Sequence, residues 1–240
     1  MRATAFEFRV RIFIIAIIYT LGFFSAWDPL LGQRARTTMW LQLSVWISAM
    51  RLLSLGEATL FVTVCALLLG IAGAALRVWA TAYLGGGIVT GSRMVAADVV
   101  ASGPFRHLRN PLYLGTWLLS FPIALLMPVS GAIFTLIAVL VFELRLIFGE
   151  EAFLGPKLGP DYEKYKNLVP RLVPRVRSAV GAADVQPKWL QAIVSEIFAV
   201  GFMLCFAVFA WRYNAFLLTK CMLVCFGVSL VVKALIQREK

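Results

Sequence analysis

The stretch from Ala58 to Leu84 carries a single charged side chain, Arg77. At 1.5 Å of rise per residue, a helix over that stretch covers about 40 Å and exceeds the roughly 30 Å hydrocarbon core of a bilayer. Backbone placed there finds no water for its N–H and C=O groups, and only a helix or a closed barrel satisfies them internally. Five more apolar blocks accompany it: Ile12–Trp27, Leu112–Met127, Ala132–Phe148, Ile193–Trp211 and Phe216–Leu235. The expected fold class is an all-α integral membrane bundle of about six transmembrane helices. With 61% of the chain hydrophobic and 15% charged, no separate soluble catalytic domain fits. Any chemistry must therefore sit in the loops and at the helix ends.

The first block follows Arg2, Arg9 and Arg11, has no small-x-small cleavage site behind it, and ends in Trp27-Asp28-Pro29. It reads as a spanning helix with an interfacial end rather than a signal peptide. Thr38–Leu55 mixes Gln42, Ser44, Ser48 and Arg51 with tryptophans and leucines, as a helix lying in the interface or a partly buried one does. If it spans instead, the amino terminus changes sides. The formal net charge of +11 suggests nucleic acid at first sight. The basic residues lie between apolar blocks, however, where anionic headgroups and the positive-inside rule account for them. Segments Arg93–Arg109, Lys157–Lys188 and Lys233–Lys240 are expected in the cytoplasm, and six spans with both termini inside meet that condition. Three units follow: residues 1–57, a first helix with an interfacial segment; 58–178, a core; and 179–240, a carboxy-terminal hairpin. Cys65, Cys205, Cys221 and Cys225 all lie in apolar blocks, and one histidine, His107, is far from them in sequence, so neither a disulfide framework nor a metal is expected.

Two polar segments join apolar helices directly. The first is Gly103-Pro104-Phe105-Arg106-His107-Leu108-Arg109-Asn110-Pro111-Leu112-Tyr113-Leu114-Gly115. Pro111 suits the first position of the next helix and Asn110 its cap. That geometry leaves helix N–H groups and the positive dipole end beside Arg109, a seat for a carboxylate or other anion. The second runs from Glu150-Glu151 through Leu154, Gly159, Tyr162 and Tyr165 to Val169-Pro170-Arg171. Adjacent carboxylates at the carboxyl end of a helix are disfavoured by its dipole and by each other, unless a cation or donor meets them. Glu143 lies seven residues earlier on a similar face, with Arg145, Arg77 or Arg109 as candidate partners. Basic donors on one side and carboxylates on the other suit a molecule that carries both signs of charge.

The run Arg109-Asn110-Pro111-Leu112-Tyr113-Leu114-Gly115 resembles the R-[HN]-P-x-Y-x-G motif of the isoprenylcysteine carboxyl methyltransferase and phospholipid methyltransferase family. Glu150-Glu151 and the residues behind it resemble the family's second motif, and Leu76–Ala80 is similar to stretches common there. The resemblance runs from about Leu76 to Pro174. It implies S-adenosylmethionine in a cytoplasm-facing pocket and a lipophilic acceptor entering from the lipid side. That acceptor is a prenylcysteine-type carboxylate, a phospholipid amine or a small thiol. Carried over residue by residue, Arg109, Asn110, Pro111, Tyr113, Leu114, Gly115, Glu150 and Glu151 contact the cofactor. Arg109, Glu150 and Arg171 carry the catalytic roles, Arg171 by orienting the acceptor. Asn110 stands where many members have histidine, so a role that needs an imidazole there does not transfer. Nothing in the motifs explains the hairpin Ile193–Leu235.

Other readings are set against this one. Gly85-Gly86-Gly87 through Gly91 follows a membrane helix rather than a strand and lacks the G-x-G-x-x-G order, which argues against a soluble nucleotide fold. A transporter would place charges near the midplane and show an inverted repeat, and no convincing repeat is visible. A non-catalytic lipid-binding protein stays open as the alternative. His107 reads as a headgroup or cofactor-side contact rather than a catalytic imidazole.

Overall fold

The computed structural model describes residues 2–24, 37–85, 101–178, 180–181 and 185–238. Trp27-Asp28-Pro29, Gly86 to Gly91, Arg93 and the Glu239-Lys240 end lie outside the described residues. Among the described residues all regular elements are helical, and one isolated bridge pairs Thr38 with Pro128. The helices are α1 Ala5–Arg9, α2 Arg11–Phe24, α3 Met39–Ala49, α4 Leu55–Leu84, α5 Pro111–Leu125, α6 Val129–Leu168, α7 Trp189–Ser195, α8 Ile197–Arg212 and α9 Ala215–Arg238. A 3-10 turn, Gly103–Arg106, precedes α5.

Local sequence explains most of the helix ends. Ser54 caps α4 in a capping box with Glu57, and Thr4 caps α1 in the same way with Glu7. Pro111 opens α5 as expected. Asn110 holds the cap position but makes no side-chain cap bond, and its amide donates to the carbonyl of Arg171 at 3.1 Å. The α5–α6 turn falls at Pro128, where α6 begins. Helix α6 departs from expectation in one respect: it does not end at Glu150-Glu151. It continues through Phe153 and Leu154 until Gly159, whose φ of 63° breaks it before Pro160. The two acids are thus mid-helix, away from the negative end of the helix dipole.

Leu55–Leu84 and Val129–Leu168 are long and apolar enough to cross a membrane. The pair α7 and α8, bent by 68° at Glu196, counts as a third if it is one broken span. The other three expected spans are the shorter apolar helices Arg11–Phe24, Pro111–Leu125 and Phe216–Val232. Fourteen residues of α2 give about 21 Å, less than the bilayer core by the same rise per residue. Helix α3, with 11 residues, is shorter still and does not span alone. The chain is a membrane protein on these grounds.

Packing centres on α4 against α5, with α2 on α6 and α8 on both α4 and α9. Small residues set the crossings. Gly73 and Gly115 face each other across α4 and α5, where a Cβ on Gly115 would sit 2.8 Å from the Gly73 carbonyl oxygen. Gly22 and Gly131 do the same across α2 and α6. Such contact lets backbones approach within membrane bundles, where apolar burial alone does not drive association. The main apolar core joins Val62, Ala66 and Leu119 to Phe202, Phe206 and Phe209, so α8 is part of one packed body with α4 and α5. The four cysteines are free thiols.

Candidate active site

Three pieces of chain meet at one end of α5 and α6. The start of α5 supplies Arg109 to Gly115, the middle of α6 supplies Glu150 and Glu151, and the segment 170–178 lies across both. That segment is fastened by backbone. Arg109 N–H donates to the Pro170 carbonyl at 2.9 Å, and Arg175 N–H donates to the His107 carbonyl at 3.0 Å. The ring Nδ1 of His107 lies 2.8 Å from the Arg175 carbonyl. His107 is therefore a fastening for this strap. Below it Tyr165 donates to the Phe105 carbonyl at 2.8 Å, which ties the far side of the Gly159 break to the 3-10 turn. Breaking α6 at Gly159 is what returns the chain over the site.

Glu151 is the hub. Arg171 grips it through Nε at 3.1 Å and Nη2 at 2.9 Å, a bidentate pair. Arg109 reaches the same carboxylate through Nη2 at 3.4 Å. Hydrogen bonding to Glu151 holds the Arg171 guanidinium above its ordinary range. The guanidinium also lies 4.7 Å over the Phe148 ring. Arg109 is only 9% exposed, and its Nε and Nη1 have no hydrogen-bond partner. Buried guanidinium N–H groups without acceptors are rare and costly. Next to Glu151, Glu150 turns to α5 and accepts the hydroxyl of Tyr113 at 2.8 Å.

The structure thus brings together Arg109, Asn110, Tyr113, Glu150, Glu151 and Arg171 from three separate segments. Pro111 is buried at the start of α5, and Leu114 is half-buried in its first turn. Gly115 is at the α4 crossing, packed on Gly73 and Arg77 rather than beside the carboxylates. Among the described residues no group of three or more His, Cys, Asp or Glu could hold a metal ion.

Sequence reading missed Glu196. It lies at the bend between α7 and α8, 4% exposed, and takes both Nε and Nη2 of Arg77 at 2.7 and 3.0 Å. Thr81 donates to it at 2.9 Å. Arg77 Nη1 turns to Thr116 and the Leu112 carbonyl. An acid in an apolar block was the available signal. Its partner, 119 positions away, was not readable.

With this geometry in hand, the chain can be set against known proteins. Residues 61–160 match the phospholipid methyltransferase family. The match agrees with the resemblance carried by the two motifs. Arg77, Arg109 to Gly115 and Glu150-Glu151 fall inside the matched segment, whereas Arg171, the strap and helices α7 to α9 fall outside it. No curated protein and no solved structure matches the chain.

Proposed function

We propose that this protein transfers a methyl group from S-adenosylmethionine to a lipophilic acceptor at the cytoplasmic surface of a membrane, and that it crosses the membrane several times. The observation that carries the reading is Arg109, a buried guanidinium with two N–H-bearing nitrogens unmet. A cofactor with a carboxylate supplies the missing acceptor, beside the amino-terminal end of α5 that Pro111 opens. Its ammonium, sulfonium and hydroxyls find counterparts in Glu150, Glu151 and Tyr113. The residues present therefore fit the group. When bound, it provides an electrophilic methyl on sulfur.

The chain's own residues do the remaining work. Arg109 and Asn110 fix one end of the site through the strap, and Glu151 holds both arginines in place. Tyr113 holds Glu150 against α5. Arg171, outermost of the three at 37% side-chain exposure, is placed to orient an incoming acceptor. The site needs alignment more than acid–base power, and holding two reactants in line is worth about 7–11 kcal/mol. Packing by α4 to α6 keeps bulk water from the reacting atoms.

Calorimetric titration of S-adenosylmethionine and S-adenosylhomocysteine into the purified protein tests the reading, with Glu150→Gln as control. Saturable binding that is lost in the control supports it. No binding to folded protein refutes it and favours a non-catalytic lipid-binding role.

A further inference from the structure

Three arginines were available to neutralise Glu143, and each is engaged elsewhere. Arg145 pairs with Glu7 at 2.7 Å, Arg77 with Glu196 at 2.7 Å, and Arg109 with Glu151 at 3.4 Å. Glu143 is 3% exposed, and its Oε1 has no hydrogen-bond partner. An acid buried in a membrane bundle without a cation is expensive, and such residues are functional by default.

Its surroundings form a polar layer deeper in the bundle. On α6, Glu143 precedes Glu150 by seven residues, which puts it about 10 Å further along nearly the same face. On α5, Thr116 and Ser120 continue the stripe begun by Tyr113, and Ser120 bonds the hydroxyl of Tyr19 from α2 at 2.7 Å. Tyr19 from α2, Tyr113 from α5 and Arg77 from α4 all lie within electrostatic reach of Glu143. Arg77 spends its donors on Glu196, Thr116 and the Leu112 carbonyl. It also keeps 21% of its side chain exposed, so the layer opens outward there. The layer leaves one carboxyl oxygen unmet.

We propose that Glu143 touches the nucleophilic group of the acceptor, pairs with it as an ammonium, and takes its proton before methyl transfer. This rests on the methyltransferase reading above. The incoming ammonium supplies the hydrogen-bonding partner that no arginine gives Glu143. A dry ion pair is costly to maintain, so proton transfer from nitrogen to the carboxylate leaves a neutral amine beside a neutral acid. The freed lone pair then forms the nitrogen–carbon bond to the methyl group. The carbon–sulfur bond breaks, and its electron pair stays on sulfur, which loses its positive charge. The nitrogen becomes a methylated ammonium, and Glu143 later returns its proton to water. A carboxylate acceptor needs no base and would meet a second acid here. A buried Glu143 has no use for it.

The test uses the full chain in lipid nanodiscs and compares wild type, Glu143→Gln and Glu143→Asp. Two phospholipid acceptors are offered: one with an ethanolamine headgroup, and one whose headgroup amine is fluorinated and neutral at working pH. Removal of a general base costs about 100-fold or more. Glu143→Gln is expected to bind S-adenosylmethionine as wild type does and to lose about 100-fold in turnover on the ethanolamine lipid by that measure. On the fluorinated lipid it should lose only a few-fold by the same reasoning, and Glu143→Asp should recover part of the loss. With no methyl donor present, Glu143→Gln should also bind the ethanolamine lipid more weakly, with no change for a lipid bearing a hydroxyl headgroup. Equal losses on both acceptors, unchanged turnover, or a wild type that methylates only carboxylates overturns the inference while leaving the methyltransferase reading standing. A wild type that binds no S-adenosylmethionine removes both.

Discussion

The layer around Arg109 and the layer around Arg77 are built from the same residue types and end with opposite deficits. In the first, Glu151 is shared by two arginines, and Arg109 is left with two unmet nitrogens. In the second, Arg77 is spent on Glu196, Thr116 and the Leu112 carbonyl, and Glu143 is left with an unmet oxygen. The two proposals above meet these deficits with an anion at the outer layer and an ammonium at the inner one. The inner layer also depends on Glu196, so the helices outside the family match complete it. The two layers lie one above the other along α6, as the proposed reaction between a carboxylate-bearing donor and an amine acceptor requires.

The strongest way to break the outer layer is Glu151→Gln. It strips both arginines of their carboxylate and leaves a buried guanidinium unpaired. Half-removal of a buried pair costs about 3–5 kcal/mol. Thermal unfolding should drop accordingly and binding of S-adenosylmethionine should vanish. A variant with wild-type affinity would detach Glu151 from the site.

Arg77→Met makes the matching change in the inner layer, and its effect should be somewhat smaller because Arg77 is partly exposed. Glu196 is then orphaned at the bend. The double variant Arg77→Met with Glu196→Leu is expected to regain much of the lost melting temperature, since replacing both partners by apolar groups is often neutral. If the double variant is worse than the single, the pair holds the bend by more than charge.

Gly115→Ala tests whether the layers need the close α4–α5 crossing. The added Cβ would lie 2.5 Å from Arg77 Cγ and 2.8 Å from the Gly73 oxygen. Overpacking of this kind costs about 1–3 kcal/mol. Melting should fall, and turnover should fall with it as Arg77 is displaced. Tyr113→Phe removes one hydrogen bond to Glu150 and should weaken cofactor affinity by about 1–3 kcal/mol, read by calorimetry. An unchanged dissociation constant would mean that Glu150 does not depend on it.

The smallest effect belongs to Glu7, which fastens α1 to α6. The Thr4 backbone N–H, and then Arg145, hold its carboxyl below the ordinary range. A lowered folded value means the contribution is present above the unfolded value and is lost as pH falls through the folded one. Melting of wild type and Glu7→Gln should therefore differ slightly near neutrality and converge in acid. A gap that widens in acid contradicts the assignment.

Most of the residues that the structure gathers at the candidate site could be singled out from sequence because they stand on short-range signals. Pro111 after Asn110 marks a helix start whatever lies nearby, and Arg109, Tyr113 and Glu150-Glu151 stand on motifs that require no knowledge of packing. Glu150-Glu151 looked like a helix end because the apolar run stops at Phe148, whereas the helix follows its hydrogen bonds to Gly159. The strap was invisible for another reason. Its bonds to Arg109 and His107 all use the backbone of the strap, so no side chain in 170–178 advertises them.

Hydrophobic run length and local chain stereochemistry, both properties of neighbouring residues, were enough to put this protein in a membrane, to place its turns and to single out the two motifs. The choice of partners was made only by the tertiary structure. Glu143 had three arginines to choose from in sequence and received none. Glu7, Glu196 and Glu151 took them, from 138, 119 and 42 positions away respectively. Ion pairing depends on a few ångströms of separation and on what else competes for each guanidinium, and those are fixed only when the helices have packed.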